Sequence, residues 1–113
     1  MILDIETTGF SRQRNQIIII GLIMINQHQS TVIQLFASNT AEEFEILMHL
    51  KKLYCEANQP MVYTYNGFSF DIPFINARFK VHGINFKINK YNNFDIYRLI
   101  RSYKDQFELP NYR

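Results

Sequence analysis

Tryptophan is absent from the chain, cysteine occurs once, and proline and glycine are scarce, at three and four residues in 113. A lone Cys55 excludes an internal disulfide framework and a cysteine-rich zinc site. It lies in an amphipathic segment, where a small core or boundary position is expected, and it fits a reducing, cytoplasmic compartment. Long apolar runs are also missing. The longest, Ile17 to Ile25, has nine residues and contains Gly21, whereas a membrane span needs roughly 20, so it reads as a buried strand. Asp4 and Glu6 interrupt the only N-terminal apolar stretch, which argues against a signal peptide. No repeat, low-complexity tract or linker divides the chain, so one small domain over residues 1–113 is expected. A net charge of +2 permits contact with a phosphate backbone without announcing it. What the chain does have is apolar side chains, at 47% with 19% charged, enough for a real core. Ten Phe and seven Tyr are plentiful, and core filling accounts for most of them.

Met1 to Glu6 reads as a short strand ending in two acids, and Thr7 to Gln16 as a polar loop. Ile17 to Asn26 and Thr31 to Phe36 are β-branched, apolar and separated by a four-residue polar turn, which predicts antiparallel pairing. Thr40 and Glu43 have capping-box spacing. Behind them Ile46, Leu50, Leu53 and Ala57 recur at helical spacing, with Phe44, Leu47 and Tyr54 widening the stripe. Asn58 to Pro60 end that helix, and Met61 to Tyr65 forms the next strand. A second helix is predicted from Ile72 to about His82, with Pro73 in its first turn and Gly83 beyond its end. Asn92 to Asp95 is strand-like. Ile96, Leu99, Ile100, Tyr103 and Phe107 mark a third helix closed by Leu109-Pro110. An antiparallel β-meander followed by αβαβα gives a mixed sheet with helices packed on it, an α/β class.

Asp4-Ile5-Glu6 is the first chemical constellation. Residues two apart on a strand share a face. Two carboxylates side by side on an otherwise apolar strand repel each other and resist desolvation, and a bound divalent cation offsets both. Oxygen-only ligands suit Mg²⁺ or Mn²⁺. The plainer alternative is an edge strand with its acids in solvent. The second constellation is the run Asn66 to Phe74, where a strand turns into a helix at Asp71. Asp71 is either a helix N-cap or a third metal carboxylate carried beside Asp4 by parallel strand pairing, at the carboxyl ends of strands where ligands collect. Asn66 is placed to bond a substrate or position a ligand, and Gly67 to allow a tight turn or a close backbone approach.

Leu3-Asp4-Ile5-Glu6-Thr7-Thr8-Gly9 resembles the first exonuclease motif of the DEDD superfamily, and Asn66-x-x-x-Phe70-Asp71-x-Pro73-Phe74 resembles its second. The five-residue step from Asn66 to Asp71 is similar to the exonuclease domains of B-family DNA polymerases and to bacterial YprB-type domains with a ribonuclease H-like fold. Phe94-Asp95-Ile96-Tyr97-Arg98 and Leu109-Pro110-Asn111-Tyr112 resemble the segments downstream of the second motif in those branches. The resemblance implies a ribonuclease H-like mixed sheet and a 3′–5′ exonuclease acting on single-stranded DNA or RNA ends. Asp4, Glu6 and Asp71 would hold two Mg²⁺ or Mn²⁺ ions. Thr7, Thr8 and Gly9 would line the terminal nucleotide, and Phe10 and Phe68 would be the base-stacking candidates. Phe70 and Phe74 are expected in the core, and Arg12 and Arg14 in a solvated loop.

The superfamily's third motif, Tyr-x-x-x-Asp or His-x-x-x-x-Asp on a late helix, is not found. Tyr91-x-x-x-Asp95 matches in spacing but precedes the third helix and contains Asn92-Asn93, poor helical residues. Asp95 is expected instead to start that helix as its N-cap. The chain therefore reads as a C-terminally truncated domain without the helix that carries the third motif. Weak or absent activity is expected from it, with one bare sheet face inviting self-association. A non-catalytic nucleic-acid- or protein-binding module is the alternative. A ribonuclease H-type endonuclease is a weaker third, because Thr7 to Gly9 and Asn66-Gly67 suit end recognition better.

Overall fold

The computed structural model describes residues 1–107, with side chains described to Lys104. The Leu109-Pro110 helix stop and the segment to Tyr112 lie outside the described residues. The elements run β1 (Ile2–Thr7), β2 (Ile17–Ile25), β3 (Ser30–Phe36), α1 (Thr40–Glu56), β4 (Val62–Thr64), α2 (Asp71–Val81), β5 (Asn93–Asp95) and α3 (Ile96–Phe107), with a 3₁₀ turn at Lys90–Asn92. The sheet has the order β3-β2-β1-β4-β5. The first three strands form the antiparallel meander, and β4 and β5 add to it in parallel. A mixed α/β sheet is what the apolar patterning predicts. β1 is central rather than an edge strand, because the meander occupies one flank and β4 the other.

Alternation along β1 divides the sheet into two unlike faces. Leu3 and Ile5, opposite Leu22 and Ile20 on β2, are buried with Val62 of β4. Against them pack Ile46, Leu47, Leu50 and Tyr54 of α1 and Ile72, Phe74, Ile75 and Phe79 of α2, closing one core. Phe74 is in that core and Phe70 packs against it. The opposite face carries Ile2, Asp4 and Glu6 of β1 in register with Ile23, Gly21 and Ile19 of β2. Ile25, Val32, Phe36, Tyr63 and Phe94 are exposed. Helix α3 meets the sheet chiefly at β4, and among the described residues most of this face stays open.

Two local expectations need correction. Asn39, not Thr40, is the N-cap of α1: its side chain accepts the Glu42 amide at 2.9 Å. Glu42 in turn accepts the Ser38 amide, one residue before the cap, at 2.8 Å, so the cap and the acid behind it each stand one residue earlier than expected. That shift releases Glu43 into the interior. Cys55 is exposed rather than at the core, since the α1 stripe runs through Leu50 and Tyr54 and leaves residue 55 on the far side. Ala57 is the C-cap, and left-handed Asn58 and Gln59 (φ 58° and 51°) turn the chain away.

Candidate active site

Asp4 and Glu6 lie on the open sheet face and both are exposed. The desolvation expected of them does not occur, because no described helix covers that end of the face. Strand β1 carries a register shift between Glu6 and Thr7, where two β2 residues oppose one. Such bulges re-aim side chains next to functional sites. Gly21 stands opposite Asp4 and leaves room beside it. A groove of ≈ 690 Å³, lined by Ile2, Asp4, Ile25, Tyr63, Tyr65 and Ile96, adjoins the acid.

Asp71 is the desolvated member of the three. It is the first residue of α2, after Phe70, which makes no side-chain cap bond. Its carboxylate accepts the Ile5 amide of β1 at 3.0 Å, so Asp71 bridges to the strand between Asp4 and Glu6 and does not cap its own helix from outside. Only 5% of its surface is exposed. Burial, then the charge of Asp4 and more weakly that of Asp95, push its carboxyl up to about 7, against the Ile5 hydrogen bond that pulls it down. Parallel pairing of β1 with β4 brings Asp71 into the field of Asp4. Among the described residues, no three His, Cys, Asp or Glu side chains converge as a ready cation cage. The donors nonetheless have the chemistry of a hard-cation site. They are all oxygens, one is buried and poorly compensated, and two are on exposed side chains free to turn.

The first loop is closed on itself. Thr7 Oγ1 donates to the Gly9 carbonyl at 2.7 Å, Thr8 Oγ1 accepts the Gln16 amide at 3.0 Å, and the Thr8 amide donates to Gln16 at 2.9 Å. These hydroxyls and that amide shape the loop. Phe10 projects from it, 89% exposed, with its ring edge against Phe70 at 6.2 Å. Arg12 reaches across to the Ser69 carbonyl at 3.4 Å. The two loops at the carboxyl ends of β1 and β4 therefore touch.

In the second loop the left-handed residue is Asn66 (φ 63°), a conformation Asn tolerates. Gly67 serves a different need: a Cβ there would lie 2.4 Å from Thr64, and its amide donates to Thr64 Oγ1 at 3.1 Å. Asp95 organises this loop. It accepts the Asn66 amide at 2.7 Å, the Phe68 amide at 3.2 Å, and the Tyr97 amide at 3.0 Å. The last is the expected cap of α3; the first two had no sequence signal. Tyr91 lies in the 3₁₀ turn and Asp95 at the end of β5, so this pair does not form a helical third motif.

Glu43 is the residue that sequence reasoning missed. Fully buried, it accepts Arg78 Nε at 2.9 Å and Arg78 Nη2 at 2.6 Å, the Ile17 amide at 2.7 Å, and meets His82 Nε2 at 2.7 Å. Arg78 Nη1 donates to the carbonyls of Arg12 and Gln13 at 3.2 and 3.0 Å, pinning the first loop from behind. Burial alone would raise the Glu43 carboxyl, but the bonds from Arg78, His82 and Ile17 outweigh it and hold it below the ordinary range. Glu43 and Arg78 lie 35 residues apart, which local patterning does not connect.

The family model described as the RNase_H superfamily matches residues 1–112. No curated protein matches the chain in sequence. Among solved structures, the chain is similar to the family B DNA polymerase from the hyperthermophilic archaeon Pyrobaculum calidifontis. The TM-score is 0.70 with 14% identity, over 90% of this chain and 16% of the polymerase. At that identity the likeness is one of fold, and the chain spans only a small part of the polymerase's length.

Proposed function

The chain belongs to the RNase H superfamily, by the match over residues 1–112, and from that premise we propose that it is a metal-dependent nuclease of the DEDD type. Its substrate would be a single-stranded 3′ end of DNA or RNA, in the cytoplasm. The observation that carries this reading is Asp71, a buried carboxyl beside Asp4 whose ionisation is held back to about pH 7. A group so placed at a strand–helix junction is a functional-site candidate on physical grounds. Asp4, Glu6 and Asp71 would hold Mg²⁺ or Mn²⁺. When bound, such ions activate a water and stabilise the leaving oxygen of a phosphodiester.

The protein's own groups then have distinct tasks. The Ile5 amide fixes one Asp71 oxygen and orients the carboxylate. Asp4 and Glu6 remain exposed and adaptable on the open face. The loop Thr7-Thr8-Gly9-Phe10 and the loop Asn66-Gly67-Phe68 would flank the strand end, held in mutual register by Arg12 and Phe10. Exposed Ile25, Val32 and Phe36 on the same face offer a surface for self-association.

The deciding experiment is calorimetric titration of the purified chain with Mn²⁺ and Mg²⁺, with Asp4→Ala and Asp71→Ala as controls. Saturable binding abolished by either substitution is expected. An unperturbed far-ultraviolet spectrum with no binding at about millimolar metal would overturn the nuclease reading, and a metal-independent binding module would replace it.

A further inference from the structure

On the loop after β4, Phe68 is the centre of a surface cluster with an unusual charge. The Arg98 guanidinium carbon lies 4.1 Å from its ring centroid and Lys90 Nζ lies 5.1 Å away. Tyr91 sits edge-on at 6.1 Å and is itself 5.5 Å from Lys90 Nζ. Tyr91 is 78% exposed, and Lys90 and Arg98 are exposed as well. Among the described residues, neither cation has an acidic partner within salt-bridge distance. Three separate elements build the cluster: the loop after β4, the 3₁₀ turn and α3. Asp95 clamps two of them through the Phe68 and Tyr97 amides.

One cation suffices to cover an aromatic face. Two converging on the same ring repel each other, and that arrangement is relieved by an anion between them. Arg98 lies over the ring, and a guanidinium there brings a planar set of N–H donors of the kind that grips phosphate oxygens. The exposed Tyr91 ring adds a surface on which any base can stack. Phe68 itself has a face taken by Arg98, so Tyr91 is the better stacking group.

We propose that Lys90, Tyr91 and Arg98 form a docking subsite for single-stranded nucleic acid, with Lys90 and Arg98 on a backbone phosphodiester and Tyr91 against a base. This deepens the nuclease reading above and rests on its nucleic-acid substrate, but it needs neither metal nor hydrolysis. Its test is therefore run in EDTA, where failure of the metal site leaves it standing and its own failure leaves the metal titration unchanged.

The measurement is fluorescence anisotropy with labelled oligodeoxythymidylate and oligouridylate of about twelve nucleotides. Lys90→Ala/Arg98→Ala is expected to weaken binding of whichever oligomer binds by about tenfold at low salt. It should also flatten the dependence on log salt by roughly 0.7 for each phosphate no longer neutralised. Tyr91→Ala is expected to weaken binding about fivefold with the salt slope unchanged. Lys52→Ala, on a side chain 73% exposed on α1, is expected to bind as the unsubstituted chain does. Should the double variant misfold, Lys90→Ala alone carries the test. The proposal is overturned if the unsubstituted chain binds neither oligomer, if the cluster variants bind as it does, or if Lys52→Ala loses as much as they do.

Discussion

Glu43 and Asp71 are both buried carboxylates that accept a backbone amide from the first two strands, and they end in opposite electrostatic states. Glu43 faces the Arg78 guanidinium and the His82 ring, and its carboxyl is held below the ordinary range. Asp71 has backbone amides, that of Ile5 foremost, but no cation to offset its burial, with the charges of Asp4 and Asp95 nearby, and its carboxyl is pushed up to about 7. A satisfied buried charge belongs to the architecture; an unsatisfied one stores free energy that a ligand can release. The difference is one of partners rather than depth, since neither is more than 5% exposed.

The largest effect should come from removing the partner on the satisfied side. Arg78→Ala leaves Glu43 buried without its cation and frees the carbonyls of Arg12 and Gln13, and a loss of about 3–5 kcal/mol is expected. Urea unfolding monitored by circular dichroism measures it. A loss under about 1 kcal/mol would mean that water replaces the guanidinium and that Glu43 does not depend on Arg78 for its compensation.

Asp71→Asn should act in the opposite direction. The amide oxygen still accepts from Ile5, but the charge is gone. Because the folded-state value of about 7 lies above the ordinary 3.8, the folded chain holds a proton that the unfolded chain releases. The contribution is full below pH 4 and is lost as pH rises through 7. The variant should therefore be the more stable one at pH 8, by about 4 kcal/mol at most, with no advantage at pH 4. Glu43 has the reverse slope: its lowered value gives stability present above about 4.5 and lost as pH falls further. Thermal unfolding across pH separates the two limbs, and equal Asp71→Asn effects at pH 4 and pH 8 would erase the contrast.

Smallest is the cap that lets Glu43 turn inward. Asn39→Ala removes the acceptor of the Glu42 amide and should cost about 1 kcal/mol. A larger loss in chemical denaturation, shared non-additively with Arg78→Ala, would show that the cap and the buried pair act as one unit.

How far these features could be read from residues alone depends on the range of the forces involved. The β-meander, the helical stripe of α1 and the turn at Gly83 depend on periodicity and local sterics, so strand and helix boundaries fall within one or two residues of expectation. Asp4, Glu6 and Asp71 were legible as candidates because their spacing to strand ends is local, and Asp95 as a helix cap for the same reason. Which of the acids would be desolvated was not legible: alternation on β1 put Asp4 and Glu6 on one face and left open whether that face is covered or in solvent, and the open face leaves them in water while burial falls on Asp71. Gly67 was read as a conformational residue, and its actual requirement, clearance from Thr64, appears only once the loop is folded back.

The amino-acid order by itself determined a mixed α/β sheet and the placement of acids at the ends of β1 and β4, since hydrophobic period and turn chemistry operate over a few residues. Only the tertiary structure decided which carboxylate is neutralised and which is left in need of charge. Arg78 is brought to Glu43 across 35 residues, and Asp71 to Ile5 across 66. Electrostatic compensation in a low-dielectric interior depends on distance in space, and no pattern along the chain records that.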